Sequence, residues 1–471
     1  MEELIRLFEQ FTGEKALETT ELTSSGSNRR YYRLKGATNS IVGVIGTNWE
    51  ENRAFLEIDR NFLANGIKVP EVYAVSGDGM CYIQEDLGDD QLYALVASGR
   101  EKGDYSPEEV ELLCKAISKL PQVQFQGAKG LDFNICFPDS AFNERMVNFD
   151  LNYFKYCFLK ATGLEFNEVR LQDDFDRLRE DLMADQGNTF MYRDFQARNV
   201  MMRDGEPYFI DFQGGRRGPI YYDVASFIWQ ARSRFPEELK EKLIDAYLKA
   251  LKEFTDVDET KFRENLRMFV LFRTLQVLGA YGFRGYFEKK PHFLGSVPYA
   301  LSGLRKLIST PFVRYPYLND VLDRLTSMPH LYDVAEDKRL EIKVFSFAYK
   351  RGIPLDSTGN GGGYVFDCRA INNPGKYEHF RQFNGMDKEV IDFLEDDGEI
   401  LTFLDQAYKL VDAHVQRFQE RKFTHLQVCF GCTGGQHRSV YCAEHMAEHL
   451  ARKFDVKVTV THRELGIEKL L

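Results

Sequence analysis

The sequence has no run of about 18 uninterrupted apolar residues, so we expect no membrane span. It also has no excess of basic side chains, because 72 Asp and Glu outnumber 61 Lys and Arg and give a net charge of −11. A general polyanion binder needs clustered positive charge and is therefore not favoured, whereas a small anionic substrate needs only a local basic pocket. The N-terminal segment MEELIRLFEQFTG lacks the basic start and the apolar stretch of a signal peptide.

Cysteine is sparse as well. Eight cysteines are scattered over 471 residues, a pattern that favours a reducing compartment over a disulfide framework, and we expect a cytoplasmic protein. Hydrophobic residues at 44% and charged residues at 28% are ordinary for a globular chain. The length exceeds what one hydrophobic core organises, which predicts two or three domains.

A polar hairpin at residues 190–211, FMYRDFQARNVMMRDGEPYFID, is the most informative stretch. Asp194 and Asn199 flank a four-residue turn. A short apolar strand, a second turn and a second strand follow and lead to Asp211. The pattern predicts two carboxylates and a carboxamide at one end of a rigid ribbon.

Phosphoryl transfer from ATP needs this set of side chains. One carboxylate orients and deprotonates the attacking hydroxyl, and a carboxamide with a second carboxylate holds Mg²⁺. We therefore predict Asp194 as the base and Asn199 and Asp211 as the metal ligands. An acidic hairpin with a capping aspartate also fits the bare spacing, but the paired strands and the Asp-Phe-x-Gly ending favour the kinase interpretation.

The segments YRDFQARN and IDFQGGRRGPIYYDVASF resemble the aminoglycoside phosphotransferase and choline kinase superfamily. Within it, the two segments most resemble those of bacterial kinases that phosphorylate N-acetylmuramate and N-acetylglucosamine at the anomeric position. Tyr192 departs from the resemblance, since the superfamily usually has histidine there. That position is commonly structural, so we expect activity to survive the change.

A serine- and glycine-rich turn precedes the first alternating strands and is a candidate phosphate cradle, although such a turn is often only a turn. We predict nucleotide contacts from Ser25, Gly26, Ser27, Arg29 and Arg30.

The strand at residues 40–46 lacks the lysine that most kinases use to pair with the α- and β-phosphates. The sugar kinases that the chain resembles often lack it too. Arg29, Arg30 and Arg33 are the candidates for the phosphate-neutralising residue.

The resemblance also implies an adenine-binding hinge at QEDLG, with its backbone reading the edge of the base. The hinge residues are Gln84, Glu85, Asp86 and Leu87.

Beyond Gly88 the pattern becomes helical, as expected of a larger lobe. Asp223 is placed to cap the helix that starts at Val224, and the resemblance gives the matching aspartate a second role in bracing the catalytic loop. The aromatic-rich stretch at residues 269–287 is predicted to be mostly core, with a sugar-binding wall as the alternative.

A second domain begins after a charged connector near residue 330. Its main feature is the order strand, glycine-rich loop, helix and strand around GCTGGQHRS, a crossover unit whose loop meets a helix N-terminus. We predict an anion site there. Its residues are Cys432, Thr433, Gly434, Gly435, His437, Arg438 and Ser439.

Two other interpretations of this loop stay open. Cys432 and Arg438 have the spacing of protein tyrosine phosphatases, but no acid loop is evident. Cys429 and Cys432 form a Cys-x-x-Cys pair without a second pair, which weakens a zinc or redox role.

SFAYKRGIP, YVFDCRAINNPG, GCTGGQHRSVY and THREL resemble the C-terminal domain of the RNase adapter protein RapZ. That domain binds a regulatory RNA and glucosamine 6-phosphate. RNA binding is not favoured here, because roughly 19 Lys and Arg stand against 22 Asp and Glu after residue 330. A phosphorylated amino-sugar effector fits better.

We predict an α+β protein-kinase-like bilobal domain at residues 1–330, with lobes at 1–88 and 89–330, followed by a smaller α/β domain at 341–471. The predicted function is ATP- and Mg²⁺-dependent phosphorylation of an amino sugar for cell-wall recycling, with sensing of a sugar phosphate by the second domain. The alternative is a non-enzymatic adapter that binds nucleotide, amino-sugar phosphate and a protein or RNA partner. The oligomeric state is left open.

Overall fold

The computed structural model describes residues 1–22, 29–288, 290–332, 339–356, 362–396, 398–421 and 423–471. The chain forms two compact units, Met1–Val334 and Ala335–Leu471. Among the described residues, no helix combines the length and the apolar character that crossing a membrane requires.

An antiparallel sheet in the order β1-β2-β3-β5-β4 occupies the N-terminal part of the first unit; its strands are β1 (Glu18–Leu22), β2 (Arg30–Lys35), β3 (Ser40–Ile45), β4 (Val72–Val75) and β5 (Cys81–Glu85). Helix α1 (Glu2–Thr12) packs on one face, where it shares a core with Ile41. Helix α2 (Trp49–Ala64) shares a different core with Val42 and Val44. Successive β3 side chains therefore serve opposite faces of the sheet.

Helix α2 begins at Trp49 and ends at Ala64. The Asn48 side chain caps it by accepting a hydrogen bond from the Glu51 amide at 3.0 Å. Phe55, Ile58 and Phe62 recur at helical spacing and form the buried face.

The rest of the first unit is mainly helical. Its helices are α3 (Leu92–Leu95), α4 (Ala97–Lys102), α5 (Pro107–Ser118), α6 (Leu120–Gln126), α7 (Glu144–Tyr153), α8 (Glu168–Met183), α9 (Tyr221–Ile228), α10 (Glu237–Leu251), α11 (Glu259–Gly282), α12 (Val297–Ile308) and α13 (Pro316–Thr326).

Two small antiparallel pairs interrupt these helices. Strand β6 (Thr189–Met191) pairs with β9 (Arg216–Gly218), and β7 (Val200–Arg203) pairs with β8 (Glu206–Phe209). The β7–β8 turn is Asp204-Gly205, where both residues have positive φ, as a two-residue hairpin requires. The predicted hairpin is present, although its first strand starts one residue later and its second strand two residues earlier than expected.

The second unit contains a sheet in the order β11-β12-β10-β13-β14. Its strands are β10 (Glu341–Ala348), β11 (Gly363–Asp367), β12 (His425–Cys432), β13 (Lys457–His462) and β14 (Ile467–Leu470), and its helices are α14 (Lys388–Asp396), α15 (Glu399–Glu420) and α16 (Arg438–Lys453). All strand pairings are parallel except that of β13 with β14.

The predicted order of strand, glycine-rich loop, helix and strand is present as β12, the loop at residues 433–437, α16 and β13. Strands β10 to β13 run parallel, so the carboxyl ends of all four lie at one edge of the sheet. The loop lies at the same edge, because it follows the carboxyl end of β12. The helix starts at Arg438, directly after the loop.

Candidate active site

Asp194, Asn199 and Asp211 converge at one end of the β7–β8 hairpin. The Asn199 amide nitrogen donates to the Asp194 carbonyl at 2.7 Å and lies 3.4 Å from Asp211 Oδ2. The Asp194 side chain is 54% exposed, whereas Asn199 is buried. The predicted base is therefore open to solvent, and the predicted metal ligand Asn199 lies deeper.

The loop that precedes Asp194 is held by Asp223. Its two carboxylate oxygens accept hydrogen bonds from the amides of Tyr192, at 2.7 Å, and Arg193, at 2.8 Å. These bonds hold Arg193 at φ 75°, a left-handed conformation that is costly for a residue with a side chain. Asp211, at φ 67°, is the second such residue in the site.

The predicted capping role of Asp223 is wrong. Helix α9 begins at Tyr221 after Ile220, so Asp223 lies inside its first turn. Its carboxylate accepts hydrogen bonds from the two loop amides instead, and this is the bracing role that the resemblance implied. Burial raises the pKa of Asp223 to about 7, against the opposing effect of these two hydrogen bonds.

Tyr192 is fully buried, and its hydroxyl donates to the Ile210 carbonyl. This bond ties the loop before Asp194 to the strand end before Asp211. The Tyr192 ring packs edge-on against Phe195 and Phe212. Tyrosine therefore performs a structural connection at the position where the superfamily usually has histidine.

Phe212, directly after Asp211, connects the site to the N-terminal sheet region. Its ring stacks on Phe55 of α2, with centroids 4.9 Å apart and planes inclined by 9°. It also contacts Phe62 on the same helix. Helix α2 and the hairpin thus share one apolar cluster, which fixes their relative positions.

The charge on Asp211 is poorly compensated. Burial raises its pKa most strongly, and the nearby Asp194 charge raises it further. The Gln213 amide, donating at 2.6 Å, and the Arg29 guanidinium lower it. A cation bound at this carboxylate would relieve the unfavourable burial.

The donor set suits a hard cation. Asp211 and Asn199 offer oxygen ligands, and the Asn199 amide nitrogen is already directed to Asp194 and Asp211. Among the described residues, no group of three or more His, Cys, Asp or Glu side chains could hold a metal ion. Two protein ligands are what Mg²⁺ needs when nucleotide phosphates and water complete its shell.

Asp150 of α7 and Arg273 of α11 also line the site, and the sequence interpretation missed both. Arg273 lies 3.8 Å from Asp194 Oδ1, and Arg193 lies 3.8 Å from Asp150. Burial raises the pKa of Asp150, whereas Arg193, Arg273 and Arg216 lower it. A single charged residue inside the largely apolar stretch FVLFRTLQVL was the available signal for Arg273.

Arg216 is a buried cation next to this group. Its guanidinium donates to the Gly214 carbonyl, and its NH1 has no hydrogen-bond partner in the described part of the chain. Burial, together with the charge of Arg193, lowers its pKa to about 10. Arg217, its neighbour, is exposed.

The predicted phosphate cradle at Ser25, Gly26 and Ser27 lies outside the described residues. Arg29 is described: its side chain is 1% exposed, and its guanidinium lies 3.6 Å from Glu51 on α2 and 5.5 Å from the Phe55 ring centroid. Arg30 is exposed.

Arg33, the third candidate, pairs with Asp86 at 2.7 Å and Asp89 at 2.9 Å. Only Arg29, of these three arginines, combines a pair with the α2 glutamate and an effect on Asp211. Glu51 was not singled out as a site residue from the sequence.

The predicted hinge follows β5. Gln84 and Leu87 are buried, the Glu85 carboxylate pairs with Arg203, and Asp86 accepts hydrogen bonds from Arg33 at 2.9 Å and Ser40 at 2.5 Å. These contacts tie the segment to β2, β3 and β7, so it is rigid.

The predicted anion loop of the second unit is exposed only at its tip. Thr433 and Gly434 face solvent, whereas Gly435, His437, Arg438 and Ser439 are buried. The Cys432 sulfur accepts a hydrogen bond from the Gly435 amide at 3.1 Å and contacts Ser439 Oγ at 3.1 Å.

The side chains behind the tip are engaged within the fold. His437 Nε2 lies 3.0 Å from the Phe380 carbonyl. Arg438 NH1 donates to the carbonyls of Arg369, at 2.9 Å, and Ile371, at 2.8 Å. Thr433 and Gly434 are thus the loop residues most accessible to a ligand.

The geometry supports neither the phosphatase interpretation of Cys432 nor a zinc or redox role for the Cys429 and Cys432 pair. Cys432 is 3% exposed, and Arg438 uses NH1 for main-chain carbonyls. Cys429 is fully buried, and burial raises the pKa of its thiol to about 12, which opposes the thiolate form that a ligand or nucleophile needs.

The sequence matches the phosphotransferase enzyme family over residues 18–262, which is more than half of the chain. It matches the RapZ C-terminal domain over residues 340–466.

Similar curated proteins are described as nucleotide-binding proteins. One from Xylella fastidiosa (strain M12) is 37% identical over 134 residues, covering 28% of this chain and 44% of that protein. One from Dechloromonas aromatica (strain RCB) is 42% identical over 121 residues, covering 26% and 41%. The chain therefore spans less than half the length of these relatives.

Similar solved structures are kinases. An aminoglycoside phosphotransferase in complex with gentamicin has a TM-score of 0.45 at 14% identity, covering 64% of this chain and 95% of that chain. A choline/ethanolamine kinase family protein from Mesorhizobium loti has a TM-score of 0.43 at 14% identity, covering 67% and 94%. Amicoumacin kinase in complex with AMP-PNP and Ca²⁺ has a TM-score of 0.42 at 12% identity, covering 56% and 80%.

The two family matches confirm the resemblance to both families. Together with the observed sheet topology, they also confirm the predicted fold class of a kinase-like domain followed by a smaller domain with a mostly parallel sheet. The chain belongs to the phosphotransferase enzyme family and carries a RapZ C-terminal domain.

Proposed function

We propose that the chain is an ATP-dependent kinase that phosphorylates the anomeric hydroxyl of an amino sugar, N-acetylmuramate or N-acetylglucosamine, in cell-wall recycling. The observation that carries the kinase assignment is the convergence of Asp194, Asn199 and Asp211 through the two contacts of the Asn199 amide. The sugar assignment comes from the resemblance of the motifs around Asp194 and Asp211 to those of the bacterial amino-sugar kinases.

Asp194 orients the acceptor hydroxyl and accepts its proton. The position of its carboxylate is set by the loop that Asp223 and Tyr192 hold. Arg273 forms an ion pair with this carboxylate at 3.8 Å and so helps to position it. The loop is fixed before substrate arrives, so little reorganisation accompanies the reaction.

Asn199 and Asp211 would hold Mg²⁺, which would neutralise the charge on the transferring phosphoryl group. Arg29 supplies positive charge to the nucleotide phosphates in place of the absent β3 lysine, and Glu51 positions it. The hinge at residues 84–87 receives adenine. These roles use residues from the sheet, α2 and the hairpin, all within the first unit.

Incubating the full-length chain with ATP, Mg²⁺ and a panel of sugars tests this proposal. We expect N-acetylmuramate or N-acetylglucosamine to be phosphorylated, with ³¹P NMR showing the phosphate at the anomeric carbon. The methyl glycoside of N-acetylglucosamine, in which only the anomeric hydroxyl is blocked, is the control and should not react. Absence of ATP-dependent turnover with every sugar would instead favour the adapter alternative.

We further propose that the second unit binds a hexosamine phosphate at the exposed tip formed by Thr433 and Gly434, and thereby adjusts kinase output. The tip stands at the N-terminus of α16 and at the carboxyl edge of four parallel strands, where main-chain amides attract an anion.

A charge swap at Thr433 tests this second proposal. We expect Thr433→Asp to weaken binding of glucosamine 6-phosphate at least about 10-fold, because a carboxylate at the tip repels the phosphate. Thr433→Asn is the matched control, because asparagine has nearly the same shape as aspartate but no charge. It should weaken binding less than about threefold. Isothermal titration of the full-length variants measures both, and equal affinities would contradict the site.

A further inference from the structure

A cavity of about 300 Å³ lies among α9, α10, α11 and α12 of the first unit. Arg273 forms part of its wall and lies 3.8 Å from Asp194 Oδ1. Arg273 therefore contacts both the cavity and the proposed base. Small-molecule sites begin at about this volume, and a substituent on the acceptor sugar could reach the cavity while the sugar hydroxyl faces Asp194.

The charge of the cavity is one-sided. Four cationic residues line it, Arg234, Lys240, Arg273 and Lys306, and the described residues of its lining include no Asp or Glu. The nearest acid in contact with them is Glu237, which lies 3.0 Å from Lys240 and 3.6 Å from Lys306. Its side chain is 64% exposed, so water screens much of its charge.

In the described part of the chain, the two arginines of the cavity wall contact main-chain and neutral side-chain oxygens, and Arg273 also contacts Asp194. Arg234 donates to the Glu101 carbonyl at 3.1 Å. Arg273 donates to Gln276, lies 3.4 Å from Ser226 Oγ and forms an ion pair with Asp194.

The remaining lining is largely apolar. Ile228, Trp229 and Val277 contribute side chains next to the cations, and the Lys240 ammonium lies 5.6 Å from the Trp229 ring centroid. Apolar surface beside positive charge suits an anion carried on an organic skeleton better than a free inorganic ion.

We propose that this cavity binds a carboxylate or phosphate carried by the acceptor and so selects anionic sugars over neutral ones. The inference rests on the proposed function, because it takes Asp194 as the base. Of the two amino sugars proposed above, N-acetylmuramate carries a carboxylate on its lactyl group and N-acetylglucosamine does not. N-Acetylmuramate is therefore the preferred acceptor.

Steady-state kinetics of the full-length chain with both amino sugars tests the selection. We expect kcat/KM for N-acetylmuramate to exceed that for N-acetylglucosamine about 10-fold, and the double variant Lys240→Met/Lys306→Met to bring the ratio close to one. Lys249→Met, an exposed position on α10, is the control and should keep the wild-type ratio. An equal or inverted wild-type ratio, or a ratio that the double variant leaves unchanged, overturns the inference while the kinase proposal stands.

A binding readout separates this inference from the proposed function. If neither amino sugar is phosphorylated, the proposed function fails, and thermal stabilisation of the protein by glucuronate and glucose 6-phosphate is compared with that by glucose. Stabilisation by the anionic sugars that the double lysine variant loses supports the cavity assignment. Equal effects of anionic and neutral sugars, or equal effects on wild type and variant, overturn it.

Discussion

Asp194→Asn is expected to lower kcat for phosphoryl transfer about 10³-fold, since a positioned general base contributes 10²- to 10⁴-fold. The substitution removes the proton acceptor but keeps the size of the side chain. The loop around it is held by main-chain amides bonded to Asp223 and by the Tyr192 hydroxyl, none of which involves the Asp194 carboxylate. The fold and nucleotide affinity should therefore be retained.

Single-turnover kinetics with ATP in excess measure this loss, and isothermal titration with a non-hydrolysable ATP analogue measures affinity. Asp204→Asn is the matched control, because Asp204 lies in the β7–β8 turn with its side chain 95% exposed. It should retain wild-type kcat. If Asp194→Asn keeps more than about a tenth of wild-type kcat, a base with the expected contribution is excluded at this position.

The hairpin at residues 190–211 could be predicted from the sequence because its signals are local. The Asp-Gly turn, the two apolar strands and the polar residues at their ends lie within about 20 residues, and hairpin geometry brings the ends together. The same holds for the strand, loop and helix around Thr433. In both places, short-range backbone geometry decides which side chains meet.

Asp223 shows where local reasoning fails. An aspartate before an apolar helical stretch is an ordinary capping signal, but the helix starts at Tyr221, three residues before the predicted start at Val224. The Asp223 carboxylate instead accepts hydrogen bonds from the loop amides of Tyr192 and Arg193, which would otherwise be buried without partners. These two amides reach Asp223 only because the end of β6 lies next to α9. The local sequence pattern does not encode that arrangement.

Arg273 and Asp150 could not be assigned for the same reason. Each is an isolated charge on a helix far from residues 190–211 in the sequence, and only the packing of α7 and α11 brings them to Asp194 and Arg193. Likewise, the sequence left three arginines as candidates for the missing lysine. The packing of α2 against the sheet separates them, since only one is placed beside Glu51.

Arg29→Met is expected to lower kcat/KM for ATP about 100-fold, mainly by raising KM, because loss of an electrostatic contact to the phosphates weakens both ground and transition states. Arg29 is the buried cation beside Glu51 and Asp211, whereas Arg33 is engaged by Asp86 and Asp89. Arg29→Lys should recover about 10-fold, since lysine restores the charge without the planar fork.

Steady-state kinetics with varied ATP at saturating sugar measure the division between KM and kcat, and thermal unfolding checks the fold. Arg60→Met is the matched control, because Arg60 is on α2 with its side chain 73% exposed and pairs only with Glu57 among the described contacts. A structural role for Arg29 would lower the unfolding temperature without rescue of KM by lysine. A change in KM below about threefold with the fold intact would instead assign phosphate neutralisation to another residue, because an electrostatic contact of this kind contributes far more.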